Sequence, residues 1–320
     1  MQDRYDRRAF LRLGGSAAAS VVLGSKMALA TQRSAFVEQT LADAAKGTLD
    51  TLPLPGGMMM VIGPRAGNIA VLPNVKLGTL LVDSGFSTTA DQLHALLKTK
   101  NADDVKLLVS THWHLDHTNG NASLHRAGAM IIAHRNTARW LATGHTIDIP
   151  KVLTAEFPPI DNAGLPEESF RRTDELQWGD EKVTLTYYPG AHTDGDIVAY
   201  FANANVLHTG DLFCNGDYPF IDTTTGGSAP GMVAAGRALM KLADPKTVIV
   251  PGHGPVAKEP QLEMFVEMLE TTGHRVREGK AQGHSLEEMI ALRPTRDFDA
   301  KWGNGFLNGD RFTANLYAAV

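Results

Sequence analysis

A single cysteine, Cys214, in 320 residues excludes an internal disulfide. There is no basic stripe. Lys and Arg number 30 against 35 Asp and Glu, and the net charge is −5. Such a chain has little with which to neutralise phosphates, which argues against a nucleic-acid binder. No Gly-x-Ser-x-Gly is present, so a serine nucleophile on a strand-to-helix elbow is not expected. No internal repeat or long low-complexity stretch is evident. The apolar stretch Leu13–Gly24 is too short and too weakly hydrophobic for a stable membrane span. With 43% hydrophobic and 20% charged residues, the chain has the make-up of an ordinary globular protein, long enough for one large domain or two small ones.

The first thirty residues have their own pattern. Asp6-Arg7-Arg8-Ala9-Phe10-Leu11-Arg12 resembles a twin-arginine export signal, the Gly/Ala/Ser-rich stretch follows, and Ala28-Leu29-Ala30 offers a small-x-small cleavage site. The order predicts a signal peptide over 1–30 and a mature single domain over 31–320 that works in the periplasm. The resemblance implies passage through the twin-arginine machinery, which exports folded proteins, often with their cofactor inserted.

The densest chemistry lies in Thr111-His112-Trp113-His114-Leu115-Asp116-His117, after the Val/Leu-rich strand predicted at Val105–Ser110. Neutral imidazole suits zinc, and a carboxylate completes such a site. In extended chain, His112 and His114 point the same way and can share one metal. A turn then swings Asp116 and His117 toward a second. Packed together without a cation, three imidazoles would compete for protons with nothing to offset their desolvation.

Around this cluster, short strands are expected over Thr51–Leu72 with a break at Gly63–Gly67, over Lys76–Val82, Ala129–Ala133 and Lys182–Tyr188, and as a hairpin at Ile197–Phe201 and Asn205–His208. Thr247–Val250 is a further apolar strand. Helices are expected from Thr88 or Thr89 to Lys98, over Asn121–Ala127, Gly231–Ala243, Gln261–Lys280 with a break near Gly273, Leu286–Leu292 behind a Ser285/Glu288 capping box, and Arg311–Ala318. Thr137–Pro150 reads as helix or irregular, and Pro158–Pro166 as loop. Three segments then share one form, strand followed by glycine turn and ligand-type residue: Pro189-Gly190-Ala191-His192, His208-Thr209-Gly210-Asp211 and Pro251-Gly252-His253. Glycine lets the backbone turn tightly and approach a metal closely.

With these residues in place, the chain resembles the metallo-β-lactamase superfamily from about Thr51 onward. Its signature is His-x-His-x-Asp-His, then a downstream His, an Asp and a final His, with an early Asp at the position of Asp83. The resemblance implies an αββα sandwich of two mixed sheets flanked by helices, with metals at one edge. His112, His114 and His192 would hold one metal, Asp116, His117 and His253 the other, and Asp211 would bridge them. Several true class B β-lactamases have Cys where this chain has Asp211; Cys214 lies three residues further on and is expected to be a small buried residue instead.

A thiolate-free donor set favours two Zn2+, with iron or manganese as substitutes. Two metals about 3.5–4 Å apart lower the pKa of a shared water toward roughly 7. The expectation is a binuclear zinc hydrolase whose metal-held hydroxide attacks the carbonyl of a small-molecule ester, lactone, thioester or β-lactam, with Asp116 as the catalytic carboxylate. A genuine β-lactamase is the alternative within that chemistry. A non-catalytic periplasmic zinc-binding protein is the alternative outside it. Asp83, His208 and Tyr218 are candidates for supporting the ligands or touching substrate, and Asp196 is a candidate support for His192. His94, His125, His134, His145, His274 and His284 fall outside the pattern.

Overall fold

The computed structural model describes residues 34–320. The leader expected over 1–30 lies outside the described residues. The first sheet has seven strands in the order β1-β2-β3-β4-β5-β6-β9: β1 Asp50–Pro53, β2 Met59–Ile62, β3 Ile69–Leu72, β4 Thr79–Val82, β5 Val105–Ser110, β6 Met130–His134 and β9 Glu168–Phe170. The second has five in sequence order: β10 Thr173–Trp178, β11 Glu181–Tyr187, β12 Ile197–Phe201, β13 Val206–His208 and β14 Val248–Val250. Strands β4, β5, β6 and β9 are parallel, as are β13 and β14, while β1–β4 and β10–β13 are antiparallel meanders.

Side-chain alternation builds the layers. Met60, Leu80, Val82, Leu107 and Val109 of the first sheet pack against Val183, Leu185, Ile197, Phe201, Val206 and Val250 of the second. The opposite face of the first sheet, with Leu81, Leu108 and Ile131, is covered by Leu93 and Leu97 of α2 (Ala90–Thr99) and Leu124 of α4 (Asn121–Arg126). The opposite face of the second, with Val198, Leu207 and Ile249, meets Met232 and Leu239 of α6 (Ala229–Leu242), and Leu262, Phe265 and Leu269 of α7 (Glu259–Ala281). Helix, sheet, sheet, helix is the αββα order expected. The remaining helices are α1 (Ala35–Ala44), α3 (Leu115–Thr118), α5 (Arg135–Thr143), α8 (Leu286–Leu292), α9 (Asp299–Trp302) and α10 (Gly309–Ala319).

Several expectations are corrected. Thr137–Pro150 is neither all helix nor irregular: α5 ends at Gly144 and a hairpin of β7 (His145–Ile149) and β8 (Leu153–Phe157) follows. The helix through Gly273 is unbroken, because nothing there demands a turn and the neighbouring apolar residues stay on one buried side. Strand β4 starts at Thr79, since Asn74 Oδ1 accepts from Lys76 N and Leu77 N and holds the preceding residues in a turn. The Ser285/Glu288 capping box is present, with Ser285 N donating to Glu288 Oε2 at 2.7 Å. Among the described residues no helix is long and apolar enough to cross a membrane.

Candidate metal centre

All the strands that lead into the site deliver their side chains at one edge of the sandwich. Asp83 follows β4, the His112–His117 segment follows β5, His192 lies between β11 and β12, Asp211 follows β13 and His253 follows β14. Ile197 N donates to Thr111 O at 2.9 Å and Thr209 N to Val250 O at 3.0 Å, so the loops are tied across both sheets.

Seven side chains converge in two groups: His112, His114, His192 and Asp211 in one, Asp116, His117 and His253 in the other. In the first, His192 Nε2 is 2.8 Å from His114 Nδ1, and Asp211 Oδ2 is 3.6 Å from His192 Nε2 and 3.9 Å from His112 Nε2. In the second, Asp116 Oδ2 is 3.1 Å from His253 Nε2 and 3.5 Å from His117 Nε2. Asp211 joins them: its Oδ1 is 3.1 Å from His117 Nε2 and its Oδ2 is 3.4 Å from His253 Nε2. Two ligands each about 2.0–2.1 Å from a tetrahedral ion stand roughly 3.3 Å apart, which is the middle of this range.

Hydrogen bonds outside the cluster decide which nitrogen each imidazole presents. His117 Nδ1 faces Asp83 Oδ2 at 2.7 Å, which leaves Nε2 for the site. His192 Nδ1 donates to Phe220 O at 2.6 Å, again leaving Nε2. His114 is reversed: Nε2 meets Asp222 Oδ2 at 3.1 Å, and Nδ1 faces inward. His112 Nδ1 lies 3.1 Å from Thr111 Oγ1, whose proton goes to Asp83 Oδ2 at 2.8 Å. His112 Nε2 is then a buried lone pair with no hydrogen-bond partner, and Asp211 Oδ1, although 3.1 Å from His117 Nε2, makes no hydrogen bond of good geometry. Orphaned buried polar atoms of this kind fit a cation between them.

The electrostatics divide the same way. Burial, then the neighbouring imidazoles of His117 and His192, push His112 well below its ordinary 6.5. Burial, then His114, pulls His192 down to about 4. Both are therefore neutral lone-pair donors. In the other group burial opposes protonation, but Asp211 and Asp116 outweigh it and hold His253 up at about 10. Asp211, Asp116 and Asp83 likewise raise His117 against its burial. That half of the site pairs protonated imidazoles with ionised carboxylates, with protons where a metal would serve.

Asp83 takes a left-handed backbone (φ 66°), uncommon for a residue with a Cβ. In return its carboxylate grips Thr111 N at 2.7 Å, Thr111 Oγ1 and His117 at once. Glycine is required at Gly252, where a Cβ would fall 1.9 Å from Asp211 Oδ1.

Other expected roles are corrected. Tyr218 does not face the cluster: its hydroxyl is spent on Thr295 O (3.1 Å) and Asp299 Oδ1 (3.0 Å), and its ring stacks on Phe312. His208 bonds Asn68 O at 2.9 Å and accepts from Gly210 N at 3.2 Å, shaping the turn before Asp211 without joining the ligands. Asp196 serves the backbone of its own loop, accepting from His192 N at 2.8 Å and Thr193 N at 2.9 Å, and not the His192 ring. Cys214, by contrast, is buried and outside both groups as expected, and burial, aided by Asp211, pushes its thiol well above 9.0. Trp113 lines a cavity of mixed character with Leu115, Trp140, Phe157, Asn119 and Arg126, and none of the seven side chains opens onto it. The carboxylate that sequence reasoning missed is Asp222. Its only local signal is the run Asp222-Thr223-Thr224-Thr225, in which Thr224 N and the Thr224 and Thr225 hydroxyls donate to it.

Comparison with known proteins agrees with this geometry. Residues 62–253 match the family model of the metallo-beta-lactamase superfamily. A curated relative, a type 2 metallo-beta-lactamase from Bacillus sp. (strain 170), is 24% identical over 246 residues, 74% of this chain and 89% of the relative. Solved structures of a metallo-beta-lactamase from Pontibacter korlensis and of FIM-1 from Pseudomonas aeruginosa in a mono-zinc form superpose with TM-scores of 0.56 and 0.54. Their identities are 22% and 16%; each covers 70% of this chain, and 99% and 95% of their own. The chain belongs to the metallo-β-lactamase superfamily, a superfamily of metallo-hydrolases, and carries a His/Asp set able to bind metal.

Proposed function

We infer that the protein is an exported hydrolase with two zinc ions, acting on the carbonyl of a small ester, lactone, thioester or β-lactam. The observation that carries this reading is the pair of orphaned atoms, His112 Nε2 and Asp211 Oδ1, inside a ring of seven metal-type donors. His112, His114, His192 and Asp211 would hold one ion, and Asp116, His117, His253 and Asp211 the other. Bound there, zinc would supply Lewis acidity and a water acidified toward about pKa 7. The protein's own part is positional. Asp222, Phe220 O and Asp83 fix the tautomers of His114, His192 and His117, so each ring keeps its lone pair inward. Asp116, partly open to solvent where Asp211 is 8% exposed, would accept a proton from a nucleophilic water.

The leader Arg7-Arg8 and Ala28-Leu29-Ala30 supports export to the periplasm as a mature unit of 31–320, with its metal loaded before transport. A genuine β-lactamase is the second reading, favoured by the curated relative, a type 2 metallo-beta-lactamase, and by the export signal. Metal analysis with a panel of β-lactams, lactones, thioesters and phosphodiesters tests both. Asp116→Ala is expected to lower turnover at least a hundredfold with any cleaved substrate. Full turnover in that variant would remove its assigned role, and a metal-loaded protein that cleaves nothing would favour a zinc-binding protein without turnover.

A further inference from the structure

Three phenylalanines run outward from the ligand cluster. The Phe220 ring lies 5.7 Å from His114 and 6.2 Å from His192, centroid to centroid. Phe306 meets Phe220 edge-on at 6.1 Å, and Phe36 meets Phe306 at 6.1 Å. Phe306 is 41% exposed, an unusual state for a large apolar side chain in this chain, and Phe220 and Phe36 are half-buried. The three come from distant parts of the sequence: Phe36 from α1, Phe220 from the segment after Asp211, and Phe306 from the link between α9 and α10. Phe36 and Phe306 lie outside residues 62–253 that match the family model. Two of the wall's three rings therefore come from outside the matched segment.

One cation lies against the wall. The Arg311 guanidinium sits 4.6 Å over the Phe306 ring. It donates through Nη1 to Phe306 O and through Nη2 to Val152 O, both at 2.6 Å. These bonds use two of its five N–H donors and hold the Phe306 segment in place. What the wall offers is aromatic surface that begins against two metal-type imidazoles.

We propose that Phe220, Phe306 and Phe36 form a binding subsite for an apolar aryl or alkyl substituent carried next to the scissile carbonyl. The proposal rests on the metal-site reading above and narrows its substrate to molecules with an apolar acyl group. A short polar acyl group leaves this surface wet, while an aryl group covers it and gains the burial.

The test uses calorimetric titration of the full zinc-loaded protein with two carboxylates, phenylacetate and acetate, which share a metal-seeking head and differ in the phenyl. The wild type is expected to bind phenylacetate at least tenfold more tightly. In Phe306→Ala, and in Phe36→Ala with Phe306→Ala, that ratio is expected to fall below threefold. Because both residues are partly exposed, the variants are expected to melt close to the wild type. A ratio near one in the wild type, or an unchanged ratio in the double variant, overturns the subsite. Dimers that dissociate on Phe306→Ala also overturn it, since the wall would then seat a second copy. Kinetics with matched phenylacetyl and acetyl substrates separate the two claims: hydrolysis of both without preference sinks the subsite alone, and Phe306-dependent binding without any hydrolysis sinks the hydrolase alone.

Discussion

Gly252→Ala adds one methyl at the centre of the site. The new Cβ would meet Asp211 Oδ1 at 1.9 Å, Gly210 C at 2.7 Å and Asp211 N at 2.8 Å. Two of those three atoms are backbone, so rotating the Asp211 side chain cannot relieve the clash. Gly252 N is also tied to Gly210 O (2.9 Å) and Phe213 O (3.0 Å), so the segment after β14 must part from the segment after β13 by several tenths of an ångström or more. Overpacking of this kind costs about 1–3 kcal/mol. At roughly 2–4 °C per kcal/mol for a chain of this class, the chelated protein should melt about 2–12 °C lower. Among the seven site side chains, Asp211 is the one whose carboxylate oxygens lie near imidazole nitrogens of both groups, so displacing it should weaken both metals more than tenfold. The assay is a pair of thermal melts, with zinc and with chelator, plus a zinc titration. A variant that melts within 1 °C of wild type and binds zinc with unchanged affinity would refute the bridging geometry.

Two further outcomes are expected. Asp222→Asn keeps the shape but removes the charge that orients His114, so zinc affinity should fall about 10- to 100-fold, read by competition with a chromophoric chelator; unchanged affinity would show that Asp222 only shapes its loop. His134 stacks 3.9 Å from Tyr187 and accepts from Asn136 N at the start of α5, and burial holds its imidazole below 6.5. A depressed histidine stabilises the fold above its unfolded value and loses that contribution as pH falls below it, so urea stability should decline from pH 7 to 5 and His134→Asn, a capping residue that does not titrate, should flatten part of that slope. An identical slope in both proteins would dismiss the assignment.

What could be read from the chain, and what could not, follows physical lines. Val105–Ser110 was legible because Val105, Leu107, Leu108 and Val109 make a short run rich in apolar and β-branched residues with no breaker, and the structure gives it those bounds. The ligand types were legible because they sit beside glycines that a tight turn requires, as Gly252 illustrates. Asp222 was not, because its partner His114 lies 108 residues away and nothing local marks the contact. Tyr218 misled for the opposite reason: an aromatic in a loop after Asp211 suggests a substrate contact, yet its partners Thr295 and Asp299 come from the C-terminal segment that covers it. The β7–β8 hairpin was missed although both strands alternate between exposed and buried residues, because they are only five residues each and follow a helix directly, with Gly144 alone between. Phe36 and Phe306 read as ordinary apolar residues, since sequence separation of this size conceals a shared wall.

The most direct test of the account is the zinc content of the folded, purified protein after dialysis, measured by mass spectrometry of the metal beside protein concentration. About two equivalents per chain are expected, falling to about one or less in His253→Ala. A folded protein that retains no zinc, iron or manganese, and whose melting temperature is unmoved by adding them, would contradict the claim that these seven side chains form a metal centre.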